Sequence, residues 1–238
     1  LALKLVLAPL LVAQALRTRK RAPVLSEPAG PRQGRVGQGD RAELRLLIAG
    51  DSSAAGVGVA HQEQALAGHL SRSVHRHTAR QVQWALHAQS GLTTRQVLAL
   101  LRAATLSPAD VAVVLSGVND VIELVPTRRA VRQRVELADW LLGEGHALHV
   151  VFAPLPPVHR FPLLPEPLRR VMGNDARRHD AALARWAATR GDVSHIAIDM
   201  NLEPEAMAED GFHPGEPVYC VYGEALAAHI ATLPLPRG

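Results

Sequence analysis

Two short stretches hold the residue types that acyl transfer requires. In GDSSAAG, residues 50–56, two serines sit in a small-residue loop directly after the apolar run LRLLIA, residues 44–49. In EDGFHPGE, residues 209–216, Asp210 precedes His213 by three positions. A serine hydroxyl is a weak nucleophile until a base takes its proton. His213 is a suitable base, and Asp210 is close enough in sequence to orient its second ring nitrogen. The tetrahedral intermediate also needs hydrogen-bond donors for its oxyanion. Three candidates are the N–H of the nucleophilic serine, the N–H of Gly91 in HAQSGLTT, and the side-chain amide of Asn119 in LSGVNDV. Glycine at 91 suits a backbone that must approach a ligand closely.

Residues so far apart need a scaffold to bring them together. Apolar runs over residues 44–49, 82–87, 111–116, 147–153 and 193–198 read as strands. Helical patterns over 61–78, 93–104, 127–142, 165–189 and about 217–230 separate and follow them. Continuous apolar strands, each followed by a helix, indicate a parallel sheet covered on both faces. Right-handed crossovers make that an open doubly wound sheet, whose ligands bind at the carboxyl ends of the strands. The Ser52, Gly91 and Asn119 stretches each follow a predicted strand, and the Asp210–His213 stretch precedes the last helix.

In block order, spacing and strand context, this set resembles the GDSL or SGNH hydrolase family over residues 44–230 or so. GDSSAAG resembles the first block, in which the serine directly after Gly-Asp is the nucleophile, so the resemblance assigns Ser52 rather than Ser53. Gly91 matches the second block and Asn119 the third. Asp210 and His213 in DGFHP match the Asp-x-x-His block. Ser53 departs from the leucine that many members carry there. The resemblance gives Asp51 a structural, loop-holding role. It implies a flavodoxin-like three-layer α/β/α sandwich with a five-stranded parallel sheet, order 2-1-3-4-5, a serine esterase acting through an acyl-enzyme, and no metal or organic cofactor.

Other readings of the first loop fit less well. The run from Gly56 lacks the third glycine of a dinucleotide fingerprint, and no Gly-Lys-Ser/Thr follows. Ala54 stands where a Gly-x-Ser-x-Gly elbow has its second glycine. A second Gly-Asn-Asp, at residues 173–175, has no apolar strand before it and is read as a decoy.

The chain has 238 residues, 47% hydrophobic and 20% charged, which suits one globular domain with an appendage. Aromatic residues are only 3%, so Ala, Leu and Val must build the core. The net charge is +4, with cations spread over helical faces and no aromatic-interleaved basic patch, so no nucleic-acid partner is expected. The single cysteine, Cys220, excludes an internal disulfide and is expected to be buried and inert. The histidines at 75 and 77 form the best local cluster, without a neighbouring carboxylate or cysteine to complete a metal site.

Residues 1–40 are expected to be an apolar segment and a Pro/Gly-rich linker, with the hydrolase domain over 41–238. The apolar part, Leu1 to Leu16, is shorter than the ~20 residues of a spanning helix. Ala13-Gln14-Ala15 resembles a signal-peptidase site, yet the basic run at 17–21 opposes export. Peripheral membrane contact is the third option. A cytoplasmic or membrane-associated location is favoured over export through a cleaved leader.

The expected substrates are short- to medium-chain acyl or acetyl esters, small or lipid-like. The insertion after the fourth predicted strand, residues 152–173, is rich in proline and apolar residues, and Phe161, Leu163 and Leu164 are candidates for a wall of the acyl pocket. The alternatives are an acyltransferase, a lysophospholipase or thioesterase with the same Ser-His-Asp set, and a catalytically silent module that keeps the fold. Oligomeric state is not legible.

Overall fold

The computed structural model describes residues 2–38, 42–200 and 202–235. Its centre is a sheet of strands β1 (Gln33–Val36), β2 (Leu44–Gly50), β3 (Val82–Ala88), β4 (Ala109–Leu115), β5 (Ala147–Phe152) and β6 (Val193–His195). The order is β1-β3-β2-β4-β5-β6. The last five are parallel and have the expected 2-1-3-4-5 order, while β1 pairs antiparallel with β3. The sheet therefore has six strands, not five.

The helices are α1 (Ala2–Arg21), α2 (Ser52–Ala55), α3 (Leu66–Thr78), α4 (Thr94–Ala103), α5 (Val118–Ile122), α6 (Thr127–Leu142), α7 (Leu168–Ala187) and α8 (Glu216–Ile230). Alternation along the strands sorts side chains into two cores. Leu46, Ile48, Val111 and Val113 face one core, with Leu66 and Leu70 of α3 and Leu226 and Ile230 of α8. Leu47, Ala49, Ala112 and Val114 face the other, with Leu98 of α4, Leu137 and Leu141 of α6 and Leu183 of α7. α7 belongs to both, because Leu168, Met172 and Ala176 join the first core. Every residue of β4 is buried, as a central parallel strand with both faces covered should be.

The stretch expected to be a linker is held against the domain. Ala29 N–H donates to Ala60 O, and Gln62 N–H donates to Ala29 O. Arg32 reaches the Ala88 carbonyl, and Glu27 accepts the Ser90 N–H at 2.8 Å. β1 then extends the sheet. The expected boundary at residues 40 and 41 lies outside the described residues.

α1 docks on the N-terminal end of α7. Gln14 donates to Glu166 O at 2.7 Å and accepts from Leu168 N–H at 3.2 Å. No described helix is long and apolar enough to cross a membrane. Cys220 is exposed on α8, contrary to the expected buried thiol, because that helix buries Val218, Tyr219 and Tyr222 instead. His75 bonds the Arg80 carbonyl, and His77 pairs with Glu224, each at a separate place on the surface of α3.

Candidate active site

At the end of β2 the chain must turn sharply beside β4. A Cβ on Gly50 would lie 1.9 Å from Leu115 O, so no side chain fits there. Asp51 N–H donates to that same carbonyl at 3.0 Å. Asp51 then caps α2, its carboxylate accepting from Ser53 N–H at 3.1 Å. This puts Ser52 at the first position of a four-residue helix, 8% exposed, with Oγ toward the loop that ends at His213.

That loop is shaped by its own backbone. Ala208 N–H donates to His213 O and Gly211 N–H to Ala208 O, with Gly211 at φ +62°. Asp210 Oδ1 accepts from the N–H of Phe212 and of His213, both at 2.9 Å. Its other oxygen accepts from His213 Nδ1 at 2.6 Å. Ser52 Oγ donates to His213 Nε2 at 3.0 Å. Burial works to raise the Asp210 pKa, but the hydrogen bonds from the His213 ring and from the two backbone N–H groups outweigh it and hold the carboxyl below its ordinary value. A carboxylate that stays ionised suits a ring that must accept a second proton.

The two other loops meet opposite. Gly91 has φ +81°, and an added Cβ would meet nothing within 4 Å. The glycine is therefore needed for its backbone conformation, not for close packing. Among the described residues its N–H has no acceptor. Asn119 follows Gly117, which has φ +125° and opens α5. One Asn119 amide hydrogen goes to Leu92 O at 3.0 Å, which ties the third loop to the second and leaves the other hydrogen free to donate.

A buried network below these loops escaped sequence reasoning. Asp120 accepts from Thr94 N–H at 3.0 Å and from Thr94 Oγ1 at 2.6 Å, a second tie between the two loops. Arg134 of α6, wholly buried, lies 3.4 Å from Asp120 and also donates to Ser116 O. A Cβ on Gly117 would lie 1.6 Å from Arg134 Nη2. Thus the guanidinium fills the space beneath the Asn119 turn. Arg134 is helical and 14 positions from Asp120, so only the fold reveals their partnership.

Ser52, Asn119 and His213 open onto a small apolar cavity of about 20 Å³, lined also by Pro156, Phe161, Leu202, Met207, Phe212 and Val218. Phe161 lies edge-on to Phe212 at 5.0 Å, and Phe212 in turn stands edge-on to His213 at 5.2 Å. Leu163 and Leu164 are not in this wall. The chain turns at Leu164 N–H to Phe161 O, which sends the Leu164 side chain into the core, while Leu163 N–H bonds Gly211 O. Asn174, the decoy, lies within α7 and bonds Arg177.

The profile of the GDSL-like Lipase/Acylhydrolase family matches residues 48–219. The GDSL-like esterase Rv1075c of Mycobacterium tuberculosis is 28% identical over 192 residues, which cover 77% of this chain. This chain spans 60% of the length of that relative. Among solved structures, a member of the lipolytic protein G-D-S-L family from Veillonella parvula aligns over 82% of this chain and 100% of its own, with TM-score 0.60 and 14% identity. The inhibitor-bound aryl esterase of M. smegmatis aligns over 80% and 99%, with TM-score 0.56 and 17% identity. These two likenesses are likenesses of fold.

Proposed function

Because the chain belongs to the GDSL-like Lipase/Acylhydrolase family, we propose that it hydrolyses short-chain carboxylic esters through an acyl-enzyme on Ser52. The observation that carries this reading is the unbroken chain of hydrogen bonds from Asp210 through His213 to Ser52 Oγ, at 2.6 and 3.0 Å.

Each step uses a group already in position. Ser52 Oγ attacks the ester carbonyl carbon as its proton passes to His213 Nε2. The imidazolium is stabilised by ionised Asp210, which keeps Nδ1 protonated and the ring oriented. The carbonyl electrons move onto oxygen, where the N–H groups of Ser52 and Gly91 and the free Asn119 amide hydrogen receive the charge. Collapse breaks the bond to the alcohol oxygen, which takes the proton from His213. A water molecule then repeats the sequence on the acyl-enzyme, with His213 as base, and releases the acid.

The cavity supports the short end of the substrate range. A space of about 20 Å³ is closer to one water molecule than to an alkyl chain. Phe161 and Phe212 close it, and they are fixed against each other and against His213. The test is a series of p-nitrophenyl esters from acetate to decanoate. The reading expects kcat/KM to peak at two to four carbons, at about that length because the wall admits one small group. A peak at eight or more carbons would contradict it.

A further inference from the structure

We propose that the exposed side chains of α1, Leu10, Val12 and Leu16 with the basic residues Arg17, Lys20 and Arg21, form the surface by which the protein lies on an anionic lipid bilayer. This inference stands apart from the esterase reading and rests on different residues.

The helix is apolar on both sides. Inward, Leu11 packs against the core beneath the sheet, and Gln14 clasps Glu166 and Leu168. Outward, Leu10, Val12 and Leu16 are 46, 57 and 64% exposed. A helix apolar all round is ordinarily covered on every side. Eight large apolar side chains are exposed among the described residues, and four of them, with Val24 the fourth, fall between positions 10 and 24. The other four are scattered over three places, at 122 and 124, 148 and 221. The cluster is thus a property of this segment rather than of the surface in general.

Charge selects the occupant. Residues 1–21 contain five basic residues, Lys4, Arg17, Arg19, Lys20 and Arg21, and no acidic one. The whole chain has net charge +4, so the remaining residues sum to −1. The net positive charge of the protein thus comes from the segment that exposes the apolar cluster, the remaining basic residues being balanced by acidic ones. Apolar side chains beside a basic run are attracted to an anionic bilayer by two additive forces, insertion at the acyl boundary and attraction to the headgroups. No described helix is long and apolar enough to cross a membrane, and the proposal places α1 along the surface.

The test is co-sedimentation of the full chain with vesicles of phosphatidylcholine alone or with added phosphatidylglycerol. The proposal expects binding to the anionic vesicles, weaker by roughly tenfold or more on neutral ones and reduced by salt. Leu10→Ser/Val12→Ser/Leu16→Ser, and separately Arg17→Gln/Lys20→Gln/Arg21→Gln, should each lower binding to anionic vesicles by roughly tenfold or more. Melting temperature and turnover of soluble p-nitrophenyl acetate should stay as in the parent, which shows that the fold is kept. Binding that ignores the lipid charge, or triple variants that bind as the parent does, would overturn the proposal. So would a parent protein that binds no vesicle and sediments as a dimer that the Leu/Val triple variant dissociates, since the face would then belong to a second copy. A protein inactive on every ester would still give the vesicle result.

Discussion

Replacing Asp51 by Asn should stabilise the fold more at alkaline than at acid pH. Asp51 is 2% exposed. One carboxylate oxygen accepts from Ser53 N–H, the other makes no well-formed hydrogen bond among the described residues, and the Gly117 backbone N–H adds only the smallest of the stabilising contributions. Burial pushes the pKa up from 3.8 to about 6; the nearby Asp120 adds to the rise, while the Ser53 hydrogen bond and His213 oppose it. At about 1.36 kcal/mol per pH unit, ionised Asp51 costs the folded state about 3 kcal/mol. The sign follows from proton affinity. The folded state holds this proton more tightly than the unfolded chain, so the cost is full above about pH 6 and fades as the pH falls toward 3.8. The Asn side chain has no charge and keeps an oxygen for Ser53. Its buried amide costs about 1–3 kcal/mol if unpaired, but by the same amount at every pH. Histidines whose pKa is lowered by burial, such as His87 and His149, weaken both proteins alike in acid and cancel in the comparison. Urea unfolding of the parent and Asp51→Asn at pH 8 and pH 4 gives the difference directly. The variant should gain about 2–3 kcal/mol relative to the parent on going from pH 4 to pH 8. An equal difference at both pH values would refute the picture of a buried, under-bonded carboxylate.

Two further outcomes follow from the loops and the network below them. Asn119→Ala should lower kcat by roughly 10²-fold with KM little changed, since one oxyanion donor is lost only in the transition state; steady-state kinetics on p-nitrophenyl acetate checks this, and a change in KM alone would assign Asn119 to substrate binding. Arg134→Met should destabilise by about 3–5 kcal/mol in urea unfolding, because Asp120 is left charged and wholly buried, and adding Asp120→Asn should recover part of that loss.

Much of the site was legible because its chemistry is carried by local patterns. Ser52 lies one residue past the capping Asp51, and Asp210 and His213 share a single turn, so a few consecutive residues specify each piece. The parallel strands were legible for a related reason. Two-sided burial demands unbroken apolar runs, and 46–50 and 111–115 are such runs, Arg45 and Asp110 pairing with each other just before them. What escaped notice depends on contacts between distant residues. β1 is the four residues Gln-Gly-Arg-Val, half-exposed at an edge, with no apolar run to mark it. The predicted helix from residue 61 begins only at Leu66, because Gln62 turns back to donate to Ala55 O. β6 stops at His195, whose ring pairs with Asp180 of α7, although the apolar pattern continues to 198. The cavity wall also comes from several segments, so an apolar run such as Phe161 to Leu164 could not show that only its first residue faces Ser52.

The central claim is that Ser52, activated by His213 and Asp210, forms the covalent acyl intermediate. The most direct measurement is mass spectrometry of the intact protein and its peptides after reaction with a fluorophosphonate ester. The account predicts one adduct, on Ser52, with loss of esterase activity in proportion to labelling. It predicts no adduct on Ser52→Ala or, at the same short exposure, on His213→Ala, while Ser53→Ala labels as the parent does. An adduct on Ser53, or full labelling of Ser52→Ala, would contradict it.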